Sequence, residues 1–357
     1  MLHNYIKIAF RNVWKNKVFS LINILGLSIG LSAAFVIGAM VFYDLSFDKF
    51  HPDGDRIYRV TTAFKSPDGD FYNAGVTVPL AQALVDLKME ELETVAPFFT
   101  TYPLHVQNQE TGDRFKNPEF VIYTDASYFK TFEYNWLVGN KESALEEPNR
   151  VVLSEERARK YFPNKELDDI LGKSVMYNDT IPATVSGIVA NFNKRTDIVF
   201  EEFISLKTAA TQDMTNAVNE ANWNNTNSAS QLFIKLSKRA DPIEVQETLT
   251  QIAKEHDEPE MVAIGRSNTY AIQPLADIHL NPDYGTFDFD DSRTTMAALK
   301  SLLLLAAILV LLGCINFINL NTAQAIQRAK EIGVRKTLGS SRKQLIFQFL
   351  GETFILT

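Results

Sequence analysis

The first residues whose types and spacing could do chemistry are Gly26-Leu27-Ser28-Ile29-Gly30, which match the G-x-S-x-G nucleophile elbow. In that motif a serine on a sharp strand-to-helix turn attacks an acyl carbonyl, and a histidine backed by a carboxylate takes its proton. Here the five residues lie inside an uncharged apolar run with no acid or histidine nearby. Gly172-Lys173-Ser174 has the ending of a P-loop, whose backbone N–H groups cradle phosphates. The first glycine of that motif falls at Leu167, and a strand is expected to follow, so a tight turn is the better reading. The five histidines are scattered, with neither an H-E-x-x-H pair nor a cysteine partner, which argues against zinc. Asp283, Asp288, Asp290 and Asp291 offer carboxylates for calcium, but their spacing departs from the EF-hand loop and reads as a solvated acidic linker. No catalytic set, cofactor site or metal site is expected, so the chain is read as non-catalytic.

The elements that hold these residues say more. The serine motif sits in one of two long uncharged apolar runs, residues 18–43 and 301–327. Each exceeds the roughly 20 residues a helix needs to cross about 30 Å of hydrocarbon. Gly26 and Gly30 are four apart, and Ser28 and Ser32 extend the same thin stripe, a pattern suited to close helix packing. Lys7, Arg11, Lys15 and Lys17 precede the first run, and Arg328, Lys330, Arg335, Lys336, Arg342 and Lys343 follow the second. Lys and Arg beside span ends mark the cytoplasmic side, so the intervening segment is expected outside the cytoplasm. The net charge of −8 then leaves roughly −16 on that segment, which argues against a nucleic-acid partner.

A cleaved signal peptide would have an apolar part of about 7–15 residues, shorter than the first run, so a retained anchor is expected. Ahead of it, Leu2, Tyr5, Ile6, Ala9, Phe10, Val13 and Trp14 recur at helical spacing opposite Asn4, Lys7, Arg11 and Lys15. This predicts an amphipathic interfacial helix over 1–17 lying in the headgroup layer of the bilayer. Cys314 is the single cysteine, so no disulfide framework holds the outer segment together.

Within the outer segment, strands are predicted at Arg56 to Phe64, at Asn149 to Leu153 and in a hairpin over 172–190 turning at Asn178-Asp179. Turns are read at Pro67-Asp68-Gly69-Asp70 and, inside a further hairpin, at Thr111-Gly112-Asp113. Pro79 to Met89 reads as a helix, and Ser154 caps another with Arg157, Arg159 and Lys160 exposed. Asn216 to Ser228 reads as a loose loop. The clearest unit is strand Gln231–Leu236, helix Pro242–His256 and strand Thr269–Pro274, with Asp241, Pro242 and Glu244 in a capping-box arrangement. The mixture predicts an α+β extracytoplasmic domain between transmembrane α-helices, a split βαβ part with an inserted mostly-β part.

After the second run comes the string from Ala323 to Gly339, a short basic helix ended by Gly339 and followed by a restart at Ser340-Ser341. Positive-inside anchoring accounts for its basic residues but not for Glu331, Gly333 and Gly339. A third apolar stretch begins at Leu345 and runs to Thr357.

At these residues the chain resembles the MacB/FtsX-type ABC transporter permease family. The string E-I-G-V-R-K-T-L-G over 331–339 is similar to the family signature at the cytoplasmic end of its second span. Cys314 to Leu320, Asn23 to Leu27, Asp277 to Leu280, and Val152-Leu153-Ser154 through Tyr161-Phe162 resemble other parts of it in order. The resemblance implies a bacterial inner-membrane protein with a large MacB-like periplasmic domain over 44–298. Its porter-like part is expected over 50–100 and 230–290, with an insertion over 101–229. Spans are expected over 18–43 and 299–327, a cytoplasmic coupling segment over 328–344, and the start of a third span over 345–357. Relatives have four spans, so the chain is expected to be the opening portion of a longer permease.

The implied mechanism is mechanotransmission, in which a partner ABC ATP-binding subunit hydrolyses ATP and the permease carries the motion to the periplasmic side. Glu331, Gly333, Arg335, Leu338 and Gly339 would face that ATPase, Arg335 for a charged contact and Gly333 for close packing. Implied partners also include a second permease copy, a heterodimer partner or a second repeat, together with a periplasmic adaptor and an outer-membrane channel. A two-span receptor with an outer sensor domain shares the topology, but it would need a long cytoplasmic heptad or kinase segment after Arg328. An anchored periplasmic hydrolase lacks a catalytic set.

Overall fold

A computed structural model describes residues 14, 17–211, 218–219, 221–287, 294–327, 329–337, 339, 341–343 and 345–346. The amphipathic helix expected over 1–17 (Trp14 and Lys17 apart), Asp288, Asp290, Asp291, Leu338, Ser340 and most of the stretch 345–357 lie outside the described residues. The chain divides into two compact units, Ser46–Thr295 and a helical unit formed by Met1–Leu45 with Met296–Thr357.

In the outer unit the strands are β1 (Ile57–Lys65), β2 (Phe71–Asn73), β3 (Val76–Thr77), β4 (Leu92–Thr101), β5 (His105–Asn108), β6 (Arg114–Lys116), β7 (Val121–Thr124) and β8 (Trp136–Gly139). They continue as β9 (Arg150–Ser154), β10 (Ser174–Tyr177), β11 (Ile181–Val189), β12 (Glu202–Ser205), β13 (Thr226–Asn227), β14 (Ser230–Leu236) and β15 (Ser267–Pro274). Among the described residues a 13-stranded sheet runs in the order β15-β1-β14-β4-β7-β12-β9-β11-β10-β5-β6, with β2 beside β1 and β8 beside β11.

The first four strands are antiparallel to their neighbours. β1 reaches β4 through the helix Pro79–Leu87 and skips over β14. β14 reaches β15 through the helix Pro242–His256 and skips over β1. Two interlocked split βαβ units result. Between β4 and β14 the chain makes the mostly-β remainder, in which β7 with β12 and β9 with β11 run parallel.

Local chemistry accounts for these elements. Asp241 accepts a hydrogen bond from the Ile243 amide at 2.9 Å, and Pro242 opens the helix where no N–H partner is needed. Val245, Leu249, Ile252 and Ala253 form the buried stripe of that helix. Asn178 and Asp179 both take positive φ, 51° and 60°, in the tight β10–β11 turn, where the Thr180 amide bonds the Tyr177 carbonyl at 3.1 Å. Gly69 closes the β1–β2 turn at φ 127°, with its amide on the Ser66 carbonyl at 3.0 Å. Ser154 caps the helix Glu155–Tyr161 by accepting from the Arg157 amide at 3.1 Å.

Two sequence expectations are corrected. Arg157, expected on an exposed face, is buried and pairs with Glu201 and Glu202. Segment 216–228, expected as a loose loop, supplies β13, which pairs with β3, and Trp223, which stacks on His256 at 3.6 Å.

Three clusters form the core. Val60, Leu80, Leu84, Leu232, Ile234, Leu249 and Tyr270 fill the space between the first four strands and their two helices. The other face of those strands contributes Ile57, Phe98 and Phe233 to an aromatic cluster with Tyr128, Phe129, Phe132, Phe200 and Phe203 of the inserted part. A third cluster, with Val151, Leu153, Val175 and Val185, lies within the insertion. The aromatic cluster therefore belongs to both parts, which share one packed interior.

Candidate coupling elements

In the helical unit, Lys17–Asp44 and Met296–Gln327 are continuous helices. Ile24–Asp44 and Met296–Asn319 are long and apolar enough to cross a membrane, by length and composition. Their outward side chains include Phe35, Phe42, Leu304 and Ile318, all exposed and all unsuited to water. The shielded positions of the first helix include Leu27, Gly30, Ala34, Ile37 and Val41, and those of the second include Leu299, Leu302, Ala306, Leu309, Gly313 and Asn316. Both series step alternately by three and four residues, the seam of left-handed knobs-into-holes packing.

The glycines set how close the pair comes. A Cβ on Gly26 would stand 3.0 Å from the Asn316 side-chain amide, and one on Gly30 would stand 3.3 Å from the Leu309 carbonyl oxygen. A Cβ on Gly313 would lie 3.6 Å from Leu27. As residue numbers rise along one helix they fall along the other, so the pair is antiparallel. Ser28 and Ser32 are exposed, off this seam. Gly30→Leu is expected to part the helices, because backbone on the facing helix cannot yield as a side chain can. In a Cys314→Ser background, disulfide yield between Leu27→Cys and Gly313→Cys should fall about fivefold when Gly30→Leu is added. An unchanged yield would show that this glycine sets no approach distance.

Beyond the second span helix, Ala329–Thr337 is helical, with Gly333, Val334, Lys336 and Thr337 exposed. Glu331 and Arg335 lie on this helix, four residues apart. A Cβ on Gly333 would meet nothing within 4 Å, so the glycine serves no packing within the described residues. Gly339 adopts φ 94° and its amide bonds the Lys336 carbonyl at 3.2 Å. That left-handed turn is where glycine ends a helix. Leu338 lies outside the described residues. The Leu345 amide reaches the Ser341 carbonyl at 3.2 Å, and Leu345 is buried.

In the outer unit, the chain just after the first span helix is pinned by a cluster that sequence reasoning missed. Asp48 accepts from the Thr196 hydroxyl and, at 3.3 Å, from the Asp197 amide, while its own amide bonds the Arg195 carbonyl at 3.0 Å. His51 lies 3.3 Å from Asp48, and His279 lies 3.2 Å from Asp197 and stacks on Phe47 at 3.6 Å. Three distant segments, 46–51, 195–198 and 275–280, are thereby tied together. Burial holds the Asp197 carboxyl above the usual carboxylate range; the His279 hydrogen bond works against this and the charge of Asp48 adds to it. Two of the five histidines are thus brought together by long-range contacts that spacing along the chain does not reveal. Among the described residues no three His, Cys, Asp or Glu side chains converge on a metal-binding geometry.

A second buried network lies in the insertion. Glu202 accepts from the Tyr161 hydroxyl at 2.5 Å and the Tyr177 hydroxyl at 2.6 Å, and Arg157 approaches it at 3.5 Å while pairing with Glu201. Glu202 is satisfied by the two hydroxyls, while Arg157 meets the carboxylates through charge and donates from Nη2 to the Glu119 carbonyl at 3.0 Å. They carry stability and specificity of packing, and nothing in the arrangement activates a nucleophile.

Comparison with known proteins fits this architecture. Residues 20–252 match the MacB-like periplasmic core domain, and residues 303–357 match the FtsX-like permease C-terminal domain. The uncharacterized ABC transporter permease YvrN of Bacillus subtilis is 25% identical over 99% of this chain and 83% of its own length. The macrolide export ATP-binding/permease protein MacB of Escherichia coli O6:K15:H31 is 22% identical over 98% of this chain and 50% of its own length. MacB of Bdellovibrio bacteriovorus is 30% identical over 35% of this chain and 17% of its own length. The chain thus spans most of YvrN but half or less of these MacB relatives. A crystallised domain of a permease protein from Porphyromonas gingivalis, 17% identical, superposes with a TM-score of 0.52 over 64% of this chain and 92% of that domain. At that identity the likeness concerns fold alone.

Proposed function

We propose, because the chain belongs to the MacB/FtsX-type ABC transporter permease family, that it is the permease component of a mechanotransmission transporter in a bacterial inner membrane. In this reading a cytoplasmic ABC ATP-binding subunit docks on the helix Ala329–Thr337. ATP-driven closure of that subunit shifts the helix, the spans carry the shift, and the periplasmic domain performs efflux or substrate extraction. A second permease copy, or a homologous module, completes the assembly. A periplasmic adaptor and an outer-membrane channel are further partners consistent with the MacB relatives.

The observation that carries this reading is the helix Ala329–Thr337, exposed at Ala329, Gly333, Val334, Lys336 and Thr337, which begins two residues after the 32-residue helix Met296–Gln327 ends. Gly333 leaves its surface open to close approach by another backbone. Glu331 and Arg335, four apart, offer an acidic and a basic group on neighbouring turns. Gly339 halts the helix by its positive φ and fixes the length of the lever.

The test is co-purification of the detergent-extracted full chain with an ATP-binding subunit encoded beside its gene. Arg335→Glu should reduce the recovered ATPase by about tenfold, the loss expected when a buried interfacial ion pair is broken. Full recovery with both Arg335→Glu and Glu331→Lys would reject this helix as the docking element.

A further inference from the structure

The strand β15 ends the large sheet, so one of its two edges has no neighbouring strand among the described residues. Its register with β1 sets Ala271 opposite Thr61 and Tyr270 opposite Thr62. In an antiparallel pair the backbone groups of alternate residues turn away from the partner. Those of Asn268, Tyr270 and Ile272 face outward, and side chains meet them there. The Gln246 amide, from the helix Pro242–His256, donates to the Tyr270 carbonyl at 2.8 Å, and its oxygen accepts from the Ile272 amide at 3.0 Å. Asp257 accepts from the Asn268 amide at 3.1 Å. Thr250 braces Gln246, its hydroxyl 3.3 Å from the side-chain nitrogen.

One side-chain amide thus does at β15 what the backbone of an added strand would do. A second β15, placed antiparallel across a two-fold axis at Ala271, would set its own Ile272 amide on the Tyr270 carbonyl. Its own Tyr270 carbonyl would meet the Ile272 amide. These are the two groups that Gln246 holds. The edge is therefore complementary to itself, as an interface between two copies across a two-fold must be. An open groove runs beside it, with Ile243, Gln246, Thr250 and Ile272 among its walls.

We propose that β15 is a strand-accepting edge for a second copy of this chain, held shut by Gln246. Open edges invite pairing with other chains, and side chains set on them are one way to prevent it. Gln246 is half-buried and follows the buried Val245 on the flank of its helix. It stands outside the apolar core that Val245, Leu249 and Tyr270 help to form, so the guard can be removed while the core stays packed. The inference rests on nothing in the helix Ala329–Thr337.

Ala271→Cys in a Cys314→Ser background reports the pairing in the full chain, purified in a maltoside detergent and oxidised with copper phenanthroline. Across the two-fold the two copies of residue 271 face one another with Cα atoms about 4.5 Å apart, within disulfide reach. Thr269→Cys is the register control, since its two copies would stand about 14 Å apart. Adding Gln246→Ala should raise the yield of cross-linked dimer at 271 by about fivefold and leave that at 269 unchanged. Hydrogen exchange gives a second measurement that needs no cysteine. In Gln246→Ala, exchange of the β15 amides should slow as protein concentration rises, while in the wild-type chain it should not depend on concentration. An unchanged yield at 271, an equal rise at 269, or exchange in Gln246→Ala that is fast at every concentration would each overturn the proposal.

Discussion

Glu202→Ala is expected to destabilise the outer unit by about 3–5 kcal/mol, the cost of breaking a buried ion pair from one side. The side chain is fully buried, and its removal strands the hydroxyls of Tyr161 and Tyr177 and leaves Arg157 with one paired carboxylate, Glu201, beside its bond to the Glu119 carbonyl. Glu202→Gln keeps the shape and one acceptor, so its cost should be markedly smaller. Urea unfolding of the full chain in detergent, read by near-ultraviolet circular dichroism, would separate the two. Equal losses for alanine and glutamine would mean that charge, and not hydrogen bonding, dominates the site.

The same network predicts an unusual pH response. Burial pushes the Glu202 carboxyl above its ordinary 4.5, although the two tyrosines and Arg157 favour the ionised form. Glu201 and Asp197 are raised for the same first reason. A carboxyl whose pKa is raised on folding holds its proton more tightly in the folded state. Its stabilisation is complete below the unfolded value and is lost as pH climbs through the folded one. Stability contributed by these three groups should therefore fall as pH rises above their ordinary values, 3.8 for Asp197 and 4.5 for the two glutamates, and the slope should lessen in Glu202→Gln. The carboxylates shifted downward, Asp53, Glu93 and Glu110, are exposed and offset this only slightly.

Phe98→Ala should cost a comparable amount, about 3–5 kcal/mol, as expected for a large aromatic removed from a packed core. Phe98 lies on β4, where the split βαβ part meets the insertion, and its ring stands 5.2–5.8 Å from those of Phe200, Phe287, Tyr128 and Phe233. These rings come from both parts. Hydrogen exchange should accordingly quicken in β1 and β14 together with β7 and β12. Faster exchange confined to the insertion would mean that the two parts open independently.

Much of this was legible in the sequence where the signals are local. The two spans follow from uninterrupted apolar length, the helix Pro242–His256 from Asp241 and Pro242, and the hairpin turn from Asn178-Asp179. The split βαβ arrangement followed from the order of strand and helix. What escaped depends on distant partners. Arg157 reads as a surface residue because nothing near it in sequence shows that β12 will bring Glu201 and Glu202 against it. His51 and His279 are 228 positions apart in the chain, and only the fold sets Asp197 and His279 beside the local pair Asp48 and His51. Arg59 sits on β1 between Tyr58 and Val60, and its burial appears only once Gln273 of β15 and the Gly285 carbonyl close on it. For the helix Ala329–Thr337, the sequence shows Gly333 and Gly339, and the structure adds that one is open and the other takes a positive φ.

The large sheet has a mechanical meaning. Eleven strands lie in one unbroken order from β15 to β6, which at about 4.8 Å per strand spacing spans roughly 48 Å along the twisted surface. An aromatic cluster bridges the two parts where they join. Where the strands move together, a rotation of about 5° imposed at one edge carries the other edge through about 4 Å.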